Sequence, residues 1–277
     1  MHNPNKTLSL SVLSGKGGVG KTNLALNMAY ALFRAGQKSL LMDCDLGLAN
    51  LDVLLGLSPE SNLQDILRSG VRARDVVVAI EEGGLDLLPA ASGVPELVEM
   101  DEDMQEMLFN KLVELFSRYH YLILDLGAGI NNTVLSFASM TQLRLVMLTS
   151  EPTSLTDSYA LIKVLSSQHA VEDFHVVVNE AESHAEGKQT FTRLSAACEK
   201  FLGIRLKFLG AVRQDPHLPE AVRRQKPLLK HAPKCNASQD ILSLAAKIQK
   251  YRMDNMATLA GTPVMRQFPD LEANEKT

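Results

Sequence analysis

Apolar positions along this chain fall into short runs set between longer stretches of helical periodicity. Leu8–Leu13, Ser39–Met42, Leu85–Pro89, His120–Asp125, Leu143–Leu148, Phe174–Asn179 and Arg205–Val212 are such runs, and their length and content predict strands. Between them, Leu24–Leu32 reads as a buried helix that Gly36 ends with a left-handed cap. Leu48–Leu55 and a start at Asn62–Leu67 read as further helical segments. Residues 151–163 read as a Pro-containing turn and a helix capped by Ser154 or Thr156. Asp240–Tyr251 places Ile241, Leu244, Ala245, Ile248 and Tyr251 on one helical face, read first as a closing helix packed on the sheet and second as a membrane contact. Strands alternating with helices predict a three-layer α/β/α fold around a mostly parallel sheet.

Composition bounds this picture without changing it. With 277 residues, 45% of them hydrophobic and 22% charged, the chain suits a soluble globular protein. No Pro/Gly/Ser-rich linker divides it. Residues 1–252 are read as one domain and 253–277 as a poorly ordered or weakly amphipathic tail. A net charge of −4 supplies no general attraction to nucleic acid, so DNA is not an expected partner. Cys44, Cys198 and Cys235 stand far apart, which argues for reduced thiols and against a metal or cluster site. Without a signal peptide or an apolar run of membrane-spanning length, the cytoplasm is the expected compartment. The acidic stretch around 96–106 reads as a solvated helix start. Arg223, Arg224, Lys226, Lys230 and Lys234 form a basic cluster, read first as a solvated face and second as a contact for phosphate or lipid.

The stretch that carries chemistry is Gly15-Lys16-Gly17-Gly18-Val19-Gly20-Lys21-Thr22, between the first strand and the first helix. Strand, glycine-rich turn and helix in that order make a phosphate-binding P-loop. Glycines permit the positive φ angles of a loop wrapped round an anion, and N–H groups at the helix start then face the phosphates. Lys21 would reach the β- and γ-phosphates, and the Thr22 hydroxyl would ligate Mg²⁺. Asp43 and Asp45 point the same way from the end of the second strand. Asp45 is the candidate for orienting an attacking water and Asp43 for holding Mg²⁺ through water, with a helix-capping pair as the alternative. Asp125, at another strand end, is the candidate second anchor for Mg²⁺, also through water.

With Lys16 at its second position, this loop resembles that of the deviant Walker A, or MinD/ParA, family of ATPases. The run Asp43-Cys44-Asp45-Leu46-Gly47-Leu48-Ala49-Asn50-Leu51-Asp52 resembles the family's switch I. Glu151-Pro152-Thr153-Ser154-Leu155-Thr156-Asp157 resembles its flagellar-number regulator branch, FlhG/FleN. The resemblance covers roughly residues 7–250 and implies an enzyme that hydrolyses ATP slowly, with ATP and Mg²⁺ as ligands, and dimerises around the nucleotide. It implies that Lys16 reaches the partner's ATP, that Glu151 and Asp157 are dimer contacts, and that Lys16, Lys21 and Asp45 carry catalysis. Gly15 to Thr22 with Asn23 would bind nucleotide, Asn179 would pair with adenine, and Arg213 and Asp215 would border the base. Implied partners are a second copy, a signal-recognition-particle-type GTPase (FlhF) and a flagellar transcription activator, with peripheral contact at the inner membrane or cell pole.

Some features depart from the family. Leu126 stands where a small or hydroxyl residue is usual, and Arg213 where proline is usual. The few residues before the first strand carry no glutamine-containing motif for stimulating the partner GTPase. In the tail, Asp254, Asp270, Glu272 and Glu275 outweigh Arg266 and Lys276, unlike a basic membrane helix. The alternatives are a MinD-like cell-division or ParA-like partition ATPase, a non-hydrolysing nucleotide scaffold, and an iron–sulfur carrier.

Overall fold

A computed structural model describes residues 3–45, 50–68, 70–89 and 102–266. Among these, the strands are β1 (Leu8–Ser14), β2 (Ser39–Cys44), β3 (Val78–Glu81), β4 (Leu85–Leu88), β5 (Tyr121–Ala128), β6 (Leu143–Leu148), β7 (Phe174–Ala181) and β8 (Lys207–Arg213). They form one sheet in the order β3-β4-β2-β5-β1-β6-β7-β8, parallel throughout except for β3 against β4. The helices are α1 (Lys21–Arg34), α2 (Leu51–Leu55), α3 (Glu102–Phe116), α4 (Asn132–Met140) and α5 (Pro152–His169), then α6 (His184–Leu202), α7 (His217–Arg223), α8 (Leu228–His231), α9 (Asn236–Asp254) and α10 (Met256–Gly261).

Period-two alternation in the strands divides the core between two faces. On β5, Tyr121 and Ile123 join Leu143, Leu145 and Met147 of β6 beneath α1 and α9. Leu122 and Leu124 join Val146 and Leu148 on the opposite face, beneath α3 to α6. Both faces are covered, so the central strands are buried along their whole length and read as continuous apolar runs. The chain leaves β1 for β2 on one side of it, while β6 lies on the other. That split opens a crevice beyond the carboxyl ends of the strands, where such sheets bind ligands.

Several elements differ from the sequence reading. The strand β3 was not anticipated, because a four-residue, half-exposed edge strand has little apolar signal. β5 continues through Leu126, Gly127 and Ala128 instead of ending at Asp125, with Leu126 paired to Cys44 of β2 and Ala128 to Ser14 of β1. Residues Leu63–Leu67 form a 3₁₀ turn. Neither Ser154 nor Thr156 caps α5: the helix starts at Pro152, whose fixed φ suits the first turn, and Ser154 Oγ accepts the Thr149 N–H. The C-terminal stop of α1 is as expected, with Gly36 at φ 77°.

The apolar side of α9 is the closing face of the domain. Ile241, Leu244, Ala245 and Ile248 are buried against α1 and β8. The chain also stays packed beyond residue 252. Leu259, Val264 and Met265 are buried, Gln142 donates to the Pro263 carbonyl at 2.9 Å, and Arg266 N–H donates to the Met140 carbonyl at 3.0 Å. Residues 253–266, the first part of the segment read as a tail, thus pack on the domain; residues 267–277 lie outside the described residues. Among the described residues no helix is long and apolar enough to cross a membrane.

Candidate functional site

The loop joining β1 to α1 holds Gly18 at φ 78° and Gly20 at φ 92°, backbone conformations that residues with a Cβ rarely adopt. Gly15 is required for a different reason. A Cβ there would lie 2.2 Å from the backbone carbonyl of Asp157, so α5 is packed against the loop itself. At Gly20 a Cβ would meet Asn179 Nδ2 at 2.6 Å. The Asn179 amide donates to the Val19 carbonyl at 2.8 Å, tying the end of β7 to the loop. Helix α1 starts with neither a side-chain cap nor an acidic residue in its first turn. Its first N–H groups and positive dipole end face the crevice, an arrangement made for an anion.

Charged groups gather beside this loop. Lys21 is buried, and its Nζ donates to Ser14 Oγ at 3.1 Å. Burial lowers its pKa, while the carboxylates of Asp125 and Asp45 act to raise it. Asp125 is 1% exposed. Burial raises its pKa to about 7, against the opposing effects of the Thr22 hydroxyl and Lys21, with Asp43 adding to the rise. Asp43 and Asp125 are register neighbours on β2 and β5.

The two carboxylates are used differently. Asp125 Oδ1 is buried without a hydrogen-bond partner, beside Thr22 and Lys21. A buried acceptor left open in this way fits a hydrated hard cation, and the oxygen donor set suits Mg²⁺. Asp43 already has partners: Oδ1 accepts the Asp45 N–H at 3.0 Å, and Oδ2 accepts those of Asn50 and Leu51 at 3.1 and 3.2 Å. The capping alternative thus describes Asp43 itself, which fastens the start of α2 to β2. Burial raises its pKa to about 6, and those N–H groups oppose the rise. Asp45 follows β2, partly exposed, with its Oδ1 near Gly127 and its charge felt by Lys21. The next residues of the switch I resemblance, 46–49, lie outside the described residues.

Lys16 lies within its own subunit's reach of α5. Its Nζ pairs with the Glu151 carboxylate and donates to Thr153 Oγ1 at 3.1 Å. Asp157 contributes its backbone to the packing on Gly15.

Past Gly20 and Asn23 the crevice deepens into a cavity of about 460 Å³, walled by Met147, Asn179, Pro216, Leu218 and Ile241 among others. Its size and mixed apolar and polar walls suit a planar base. Arg213 borders it, and its guanidinium forms a two-pronged pair with Asp240 at 2.9 and 3.0 Å. The carboxylate of Asp215 accepts N–H groups from His217 and Ala237 and so fastens the wall. Burial pushes its pKa up, but these bonds and the His217 ring hold it down at about 2. The apolar wall contributed by Leu218, Pro219 and Leu228 was missed in the sequence, because helices as short as α7 and α8 carry little periodicity.

The comparisons with known proteins agree with this geometry. Residues 10–228 match a family model described as the CobQ/CobB/MinD/ParA nucleotide binding domain. The chain is 37% identical over 242 residues to the antiactivator FleN of Pseudomonas aeruginosa, covering 87% of this chain and 86% of that one. It is 32% identical over 246 residues to the flagellum site-determining protein YlxH of Helicobacter pylori, covering 88% and 82%. Among solved structures, the MinC:MinD cell division protein complex of Aquifex aeolicus contains a similar chain. The TM-score is 0.70 at 27% identity, covering 88% of this chain and 96% of that one.

Proposed function

Because the chain belongs to the CobQ/CobB/MinD/ParA nucleotide-binding family, we propose that it is a Mg²⁺-dependent ATPase that dimerises around ATP and regulates flagellar number or placement. The observation that carries the enzymatic part is the meeting of the uncapped α1 start, buried Lys21 and the open Asp125 oxygen at one crevice. Identity of 37% to FleN, against 27% to the MinD-like chain, favours the flagellar role over cell division.

The phosphates lie against the N–H groups of residues 15–22, and Lys21 exchanges its bond to Ser14 for the β- and γ-phosphate oxygens. Thr22 and Asp125 would hold Mg²⁺, which when bound would supply positive charge to the transferring phosphoryl group. Asp45 orients the attacking water. Lys16 gives up Glu151 of its own chain and turns toward the partner's ATP, adding a cation where negative charge develops. Glu151 and Asp157 then lie at the subunit boundary. A slow hydrolytic step makes the dimer a timed surface for an FlhF-type GTPase, a flagellar transcription activator or the inner membrane.

Phosphate release by wild type and Asp45→Ala tests the enzymatic claim. Measurable turnover by wild type and a loss of roughly 10²–10³-fold in the variant are expected. A wild type that binds ATP without hydrolysing it would leave only a nucleotide scaffold.

A further inference from the structure

At the rim of the base cavity three different ligand-bearing side chains converge. One ligand atom from each of Asp215, His217 and Cys235 lies within 4.8 Å of the others. Asp215 comes from the segment after β8, His217 opens α7, and Cys235 precedes α9. The sequence places Cys235 eighteen or more positions from the other two, which hides the grouping from any spacing rule.

We propose that Asp215, His217 and Cys235 form a binding site for a borderline divalent transition metal of the zinc class, which would brace α7 against the start of α9. The donor set is one carboxylate oxygen, one imidazole nitrogen and one sulfur, a mixture that Zn²⁺ accepts and that hard cations such as Mg²⁺ do not. Tetrahedral zinc bonds of about 2.0–2.3 Å hold their ligand atoms roughly 3.3–3.8 Å apart, so only small side-chain shifts are needed.

The positions of the three groups support a site more than a chance cluster. Asp215 is 8% exposed and fixed by backbone N–H groups from two elements, His217 at 3.0 Å and Ala237 at 3.2 Å. Its Oδ1 lies 2.7 Å from His217 Nδ1, so the imidazole already faces the carboxylate. The His217 side chain is half exposed and the Cys235 residue is partly exposed, which leaves a path for an ion from solvent. Cys235 Sγ at present donates to Ser238 Oγ at 3.3 Å, a weak bond that a metal–thiolate bond would replace. On binding, the thiol proton is released to solvent, and His217 ligates the ion through a ring nitrogen that carries no proton. The other two cysteines, Cys44 and Cys198, are buried in the core.

Binding is read with untagged full-length protein titrated with Co²⁺ as a spectroscopic stand-in. One equivalent should give a near-ultraviolet thiolate-to-cobalt band together with the visible bands of a four-coordinate ion, and Zn²⁺ should bleach both. Cys235→Ser should abolish the thiolate band. His217→Ala, at an exposed position, should weaken binding by at least tenfold, since losing an outer partner of a ligand alone costs about 10–100-fold. Zn²⁺ should raise the Tm of wild type and leave that of Cys235→Ser unmoved. A missing thiolate band, a band that survives Cys235→Ser, or unchanged affinity in His217→Ala would overturn the assignment. None of these readouts depends on ATP hydrolysis.

Discussion

Burial holds Asp125 at about 7 and Asp43 at about 6, so two carboxyls beside the phosphate loop bind protons more tightly in the folded chain than in the unfolded one. Linkage then fixes the sign: for such groups stability falls as pH rises from the ordinary carboxyl value to the raised one. Asp125→Asn removes one of them. The stability of Asp125→Asn relative to wild type, measured by urea denaturation without nucleotide, should increase as pH is raised from about 4 to 7. The same variant should lose Mg²⁺-dependent nucleotide binding. A difference independent of pH would mean that Asp125 is not held up by burial. Gly15 makes a second case at this scale. A Cβ at this position would stand only 2.2 Å from the Asp157 backbone, so Gly15→Ala must push the loop from α5, and nucleotide affinity should fall at least tenfold by calorimetry. The residues of the loop were legible because an anion site demands glycine, lysine and threonine at adjacent positions. The pairing of Arg213 with Asp240 was not, because those residues meet only when α9 packs beside β8.

Among the elements, α9 separates two readings of one amphipathic pattern. Its apolar face covers α1 and β8, and burying a side chain such as Leu244 or Ile248 contributes about 1.5–3 kcal/mol. Leu244→Ala or Ile248→Ala should therefore destabilise the domain by about 2–5 kcal/mol in chemical denaturation. A helix whose apolar side served a lipid surface would lose vesicle binding with little change in stability. Periodicity revealed the helix and its stripe, but periodicity is the same for both partners. The sheet was legible to the extent that its strands were buried on both faces. Seven strands announced themselves as apolar runs, while β3, exposed at the edge, did not. Element ends were less legible than element centres: β5 extends to Ala128 because strands on both sides pair with it, and α5 starts at Pro152 instead of at a hydroxyl cap.

At the scale of the whole molecule, the proposed regulation by ATP depends on Lys16 changing partners. Within one subunit it is held by Glu151 and Thr153, both on or beside the start of α5. That contact is exposed, and an exposed ion pair contributes at most about 1 kcal/mol, so a nearby triphosphate in a second subunit can displace it. The family relationship and the crevice account for nucleotide binding in a single chain; the proposed role of Lys16 is the part that calls for a pair of chains. The most direct measurement is the solution mass of the hydrolysis-blocked Asp45→Ala protein by light scattering, with Mg²⁺ and either ADP or ATP. The expected result is a monomer with ADP, a dimer with ATP, and a monomer in both when Lys16→Ala is added. An Asp45→Ala protein that stays monomeric while saturated with ATP, or a Lys16→Ala variant that still dimerises, would contradict it.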